Sequence, residues 1–126
     1  MNAGEELVIR QRGYFRTGAT RPATFRLAQL EALRRAIQAR EGDIVSALWQ
    51  DLHKGEFETY TSEIAMVYEE IRHARRHLKR WMRPRRVATP LVNAPARSRV
   101  ISRPLGVSAV LSPWNYPFQL ALAPVV

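Results

Sequence analysis

Residues 106–118 read Gly-Val-Ser-Ala-Val-Leu-Ser-Pro-Trp-Asn-Tyr-Pro-Phe, and few folds can use such a stretch. Val107 to Leu111 are small or apolar and lie between two breakers, Gly106 and Pro113. That pattern predicts a strand covered on both faces, as in a parallel sheet. Pro113 and Pro117 fix their own φ and bias Ser112 and Tyr116 toward extended backbone. Asn115 is thereby predicted to sit on a stiff turn just past the carboxyl end of the strand. In open α/β sheets ligands bind along that rim. A carboxamide held there can donate hydrogen bonds to a developing oxyanion. The plainer reading makes Trp114 and Tyr116 core aromatics and Asn115 a turn residue.

Pro113-Trp114-Asn115-Tyr116-Pro117, with Pro104-Leu105-Gly106-Val107 ahead of it, resembles the signature of the aldehyde dehydrogenase superfamily. The Asn-Tyr-Pro-Phe form is most similar to class 3 members. Thr20-Arg21-Pro22, Phe25-Arg26, Leu30 to Leu33 and Asp51-Leu52-His53-Lys54 extend the resemblance over about residues 14–126. It implies an α/β fold: N-terminal helices plus the first strands of a Rossmann-like cofactor domain, here incomplete. It implies three parts: helices and extended linker over 1–96, a strand of an oligomerisation hairpin over 97–104, and the first strand and helix start of the NAD(P) domain over 105–126. In that family a cysteine thiolate attacks the aldehyde carbonyl, hydride passes to NAD or NADP, and a glutamate activates the water that hydrolyses the thioester. The resemblance gives Asn115 the oxyanion, Pro113 and Trp114 a place beside the cofactor, and Tyr116 and Met66 a place along the aldehyde tunnel. At the Met66 position class 3 members often carry an aromatic residue. The thioether is softer and smaller at its tip, so a shifted aldehyde preference is expected.

The chain contains no cysteine, which removes disulfides, a thiolate nucleophile and cysteine metal sites. Neither the glutamate motif nor a glycine-rich phosphate turn appears. An amino-terminal fragment or truncated product of a longer enzyme is therefore expected, unable to turn over aldehyde alone. No run of 18 apolar residues indicates a transmembrane helix. Glu5 and Glu6 speak against a transit peptide, so a cytoplasmic protein is expected.

Charge is unevenly placed. Residues 1–70 hold 9 Lys/Arg and all 11 Asp/Glu, whereas residues 71–126 hold 11 Lys/Arg and no acid. Arg72 to Arg86 alone carries 8 Lys/Arg, interleaved with His73, His77 and Trp81. A basic helical module binding nucleic acid would look like this. So would one solvated helix face whose acidic partner surfaces lie elsewhere, and the Asn115 motif favours that. His73 and His77 stand four apart, as zinc ligands can, but lack a third ligand nearby, and no metal is expected.

Helical spacing predicts a short helix over 3–17, weakened at Gly13 and ended by Gly18, then helices over about 22–40 and 42–52. Thr20 is the expected N-cap and Gly55 the expected C-cap residue. His53 is read as a terminal polar residue rather than a catalytic base. Tyr60, Ile64, Val67, Ile71, Ala74, Leu78 and Trp81 form an a/d seam within a helix over about 57–82. The seam is expected to pack on the previous helix; a dimeric coiled coil is the alternative. Residues 84–96, with three prolines, read as a linker. Arg97 to Arg103 reads as an exposed strand guarded by arginines, and the resemblance makes it a subunit contact in a homo-oligomer. The apolar residues from Phe118 to Val126 are expected to find no cover within this chain. A non-catalytic fragment that docks onto homologous subunits is the third functional reading.

Overall fold

The computed structural model describes residues 2–126. Helix α1 spans Ala3–Arg16 and starts in a capping box. The Asn2 side chain accepts from the Glu5 N–H at 2.9 Å, and the Glu5 carboxylate accepts from the Asn2 N–H at 3.0 Å, so two orphan donors are satisfied reciprocally. Gly18, at φ 77°, turns the chain after the helix, a conformation costly for a residue with a Cβ. Helix α2 spans Ala23–Gln38 and α3 spans Glu41–Leu52. Pro22, not Thr20, holds the N-cap of α2; the Thr20 carbonyl instead accepts from Arg26 Nε at 2.9 Å. Gly42 lies inside the first turn of α3, and the break between the two helices falls at residues 39–40.

The long helix expected over 57–82 is present but not uniform. Helix α4 (Glu56–Thr59) runs into a π-helical turn, Tyr60–Ile64, and then into α5, Ala65–Trp81. Thr61 Oγ1 donates to the Phe57 carbonyl at 2.8 Å and Ser62 Oγ to the Glu58 carbonyl at 2.7 Å. Hydroxyls on i−4 carbonyls compete with the backbone ladder and loosen it, which suits a widened turn. The seam holds through its centre: Ile64, Val67, Ile71 and Ala74 are buried. It fails at Tyr60 and Trp81, which are exposed. The wide turn carries Tyr60 off the seam, and Thr59 and Glu63 occupy buried places instead.

Helix α5 packs chiefly on α2 rather than, as expected from the seam, on the helix before it, with Leu30 and Ile37 opposite Ile64, Val67, Ile71 and Ala74 in one cluster. Each fully buried Ile or Val here is worth about 1.5–3 kcal/mol of transfer free energy. Polar ties reinforce the same contact. Glu31 of α2 meets Arg34 Nη2 at 2.7 Å and Arg75 Nη1 of α5 at 2.7 Å. The Arg34 hydrogen bond, assisted by Arg75, holds the Glu31 carboxyl below the usual carboxylate range. The Tyr68 hydroxyl donates to Glu41 Oε1 of α3, and burial together with that bond pushes the phenol well above its ordinary value. Of the basic run, Arg72 pairs with Glu69 and Arg75 with Glu31. His73, His77 and Trp81 stack along α5, with His73 and His77 ring centres 4.2 Å apart.

Strand β1 (Arg85–Val87) pairs antiparallel with β2 (Ser98–Val100), Arg86 opposite Arg99. The segment read as a linker thus contains a strand. Three residues are too few to show a period of two, and Arg85-Arg86 read as the end of a basic run. The expected strand over 97–103 pairs only through Ser98–Val100. Thr89 Oγ1 extends the closure by accepting from the Ser98 N–H at 2.9 Å.

Two further expectations are overturned. Residues 106–111 form no strand, and Leu111 is 97% exposed. A doubly covered strand needs hydrogen-bonded neighbours on each side, and the described residues supply none there. The apolar stretch after the turn is, by contrast, partly covered, although Val125 stays 60% exposed. Pro117–Leu122 forms α6, and Phe118, Leu122 and Val126 pack against the cluster built on α2 and α5. No helix among the described residues is long and apolar enough to cross a membrane.

Candidate active-site turn

Asn115 sits in a bend between Pro113 and the start of α6. Its backbone is anchored from beneath. Lys54 Nζ donates to the Asn115 carbonyl at 2.9 Å and to Glu63 Oε1 at 2.6 Å. The same ammonium stands over the Tyr116 ring, 3.9 Å from its centre. Two oxygens and a π face thus surround a group with three donors.

Glu63 completes the anchor. Its Oε2 accepts from the Phe118 N–H at 3.0 Å and the Gln119 N–H at 2.9 Å. The first residue of α6 is Pro117, which has no N–H, and the Leu120 N–H already bonds the Tyr116 carbonyl. Both free N–H groups within the first three residues of this helix therefore have a partner. A carboxylate at that end also suits the helix dipole. Lys54 is 8% exposed and Glu63 0%. Buried charge in such a place requires pairing and full hydrogen bonding, and both residues have them.

Local sequence explains how the pair arrives there. His53 adopts a left-handed conformation, φ 53°, at the end of α3. That reversal, rather than one at Gly55, sends Lys54 back into the protein; Gly55 instead caps the start of α4 at φ −64°. The π-helical turn presents Glu63 beside Ile64 on the buried side. Sequence reading placed Lys54 only within the Asp51–Lys54 resemblance and did not single out Glu63. A signal was nevertheless present: Glu63 precedes Val67 by four and Ile71 by eight residues, on the face that Val67 and Ile71 bury.

With its carbonyl held inward, Asn115 itself lies exposed at the surface of the turn. Trp114 is 86% exposed beside it. Tyr116 is partly covered, one face given to Lys54. Met66 is exposed on α5, three residues after Glu63. Asn115, Trp114 and Tyr116 share the turn with Pro113; Met66 lies on a different element, α5.

Known proteins resemble the whole of this arrangement. The sequence profile of the Aldehyde dehydrogenase family matches residues 6–126. The 4,4'-diaponeurosporen-aldehyde dehydrogenase of Staphylococcus aureus is 37% identical over all 126 residues, which span 28% of its length. The dimeric NADP-preferring aldehyde dehydrogenase of Canis lupus familiaris is 40% identical over all 126 residues, again 28% of its length. A solved structure described as the substrate-bound state of Staphylococcus aureus AldH superposes with a TM-score of 0.96 at 38% identity, covering 99% of this chain and 27% of that one. The chain thus spans little more than a quarter of the length of these relatives. With the profile matching nearly every residue and the fold superposing throughout, the chain belongs to the aldehyde dehydrogenase family.

Proposed function

We propose that this chain forms the amino-terminal part of an NAD(P)-dependent aldehyde dehydrogenase that oxidises apolar aldehydes to carboxylic acids through a cysteine thioester. The observation that carries this reading is the Asn115 turn, anchored through buried charge at its backbone with the residue itself at the surface. When the aldehyde carbonyl becomes tetrahedral, the Asn115 carboxamide donates to its oxygen, where negative charge develops. The cysteine nucleophile and the water-activating glutamate lie outside these residues.

Trp114 offers a flat, solvent-facing ring beside Asn115, and the acid-free stretch from residue 71 onward suits an anionic pyrophosphate. These features fit a nicotinamide cofactor, held by Trp114 and the Pro113 backbone, and the name of the canine relative points to the same class. Such a cofactor supplies the hydride acceptor. Residues 1–96 act as the helical base, 97–104 as part of the hairpin through which a homo-oligomer forms, and 105–126 as entry to the cofactor domain.

The 126-residue chain alone should give no aldehyde-dependent reduction of NAD or NADP in a spectrophotometric assay. The enzyme carrying this segment should reduce cofactor only when aldehyde is present. Turnover by the isolated chain, or none by the longer enzyme with any apolar aldehyde, would overturn the proposal. Met66→Tyr in that enzyme is expected to shift the ratio of kcat/KM between short and long aldehydes by roughly 10-fold, the scale of one or two methylenes in an apolar pocket. An unchanged ratio would remove Met66 from the tunnel. The nucleic-acid reading has no specific observation in its favour, and Arg72 and Arg75 of the basic run pair with acids.

A further inference from the structure

We propose that Lys54 and Glu63 are positioning residues for Asn115: their buried pair clamps the turn at the Asn115 carbonyl and at the first N–H groups of α6, and so aims the carboxamide at the reacting oxygen. This inference rests on the role given to Asn115 above. Lys54 fixes the peptide group immediately after the Asn115 Cα, through its carbonyl oxygen. Glu63 fixes the chain three and four residues on. Pro113 limits φ two residues before, and Pro117 two residues after. Rotation of the turn about the chain direction would swing the carboxamide aside, and among the described residues Lys54 is the group bonded to Asn115 itself that opposes it. Tyr116, under the same ammonium, is held by the identical group. One buried cation thus sets both the oxyanion donor and the neighbouring tunnel residue.

The clamp is tested in the enzyme that carries this segment, using variants that leave no unpaired buried charge. Lys54→Met with Glu63→Gln keeps an acceptor for the Phe118 and Gln119 N–H groups and removes the bond to the Asn115 carbonyl. A displacement on the order of 1 Å at a reacting centre costs up to about 100-fold, so kcat is expected to fall about 10–100-fold with KM for aldehyde nearly unchanged. Combined with Asn115→Ala, the same pair should lower kcat no further, because the residue it aims is gone. A purely structural role would move the melting temperature and give losses that multiply with those of Asn115→Ala. Unchanged kcat in the folded pair variant, or multiplying losses, would sink the clamp. If the pair variant does not fold, Lys54→Gln with Glu63→Gln, which also leaves no unpaired buried charge, takes its place, with the same split between kcat and KM expected and the same results counting against it. Asn115→Ala alone separates the two claims: if it leaves kcat unchanged, the role of Asn115 itself fails.

Discussion

Lys54→Met is expected to lower the unfolding free energy by about 3–5 kcal/mol, the usual cost of stripping one partner from a buried ion pair. The magnitude follows from where the two charges lie. Glu63 is 0% exposed, so water cannot replace the lost ammonium. Its carboxylate would keep two N–H donors from α6 and lose the one cation that pairs with it among the described residues. The Asn115 carbonyl would lose its bond to Lys54 as well. Against a typical domain stability of about 5–15 kcal/mol, such a loss would show as a large fall in urea midpoint. Replacing both residues by methionines should be far milder, because no charge is then left unpaired, although the Phe118 and Gln119 N–H groups would still lack an acceptor. An exposed pair offers the control. Arg40 and Asp43 lie 3.4 Å apart with both side chains largely in solvent, and Asp43→Asn should cost less than about 1 kcal/mol. Urea titrations in which Lys54→Met costs no more than Asp43→Asn would contradict the buried-pair account.

The turn and the ground beneath it were unequally legible in the sequence. Helical periodicity located α2, α3 and the middle of α5 because Leu30, Ile37, Leu48, Val67 and Ile71 each bury on one face. Two prolines and an asparagine located the turn, because backbone restraint is written in residue type. Residues 106–111 failed as a strand because β structure depends on partners that local pattern does not contain. Strand β1 was hidden for the opposite reason: its three residues carry too little pattern, and its pairing with β2 is a contact across ten intervening residues. The Lys54–Glu63 pair was missed because charge is read as exposed by default. Its burial arises from a left-handed His53 and a π-helical turn, and neither leaves a strong local mark.

Asn115→Ala should produce a larger kinetic effect than a change at any other residue of the turn. Loss of one oxyanion donor costs about 10²–10³ in kcat, or roughly 2.7–4 kcal/mol of transition-state stabilisation. The fold should tolerate it. Asn115 is held through its backbone carbonyl, which alanine retains, and among the described residues its side chain makes no recorded hydrogen bond. Ground-state affinity for aldehyde should hardly move, since the strong interaction develops only with the charge. Asn115→Asp should be worse still, because an ionised carboxylate would face the developing oxyanion without a donor. Stability and catalysis thus separate by residue. Lys54→Met acts on both, whereas Asn115→Ala acts on the chemical step alone.

The most direct measurement is the single-turnover rate of hydride transfer in the enzyme carrying this segment, compared between the parent and Asn115→Ala at saturating cofactor across a series of aldehyde concentrations. The maximal rate should fall about 10²–10³-fold while the aldehyde concentration giving half that rate stays within a few-fold. A maximal rate equal to the parent's, with the variant fully folded, would contradict the placement of the oxyanion at Asn115.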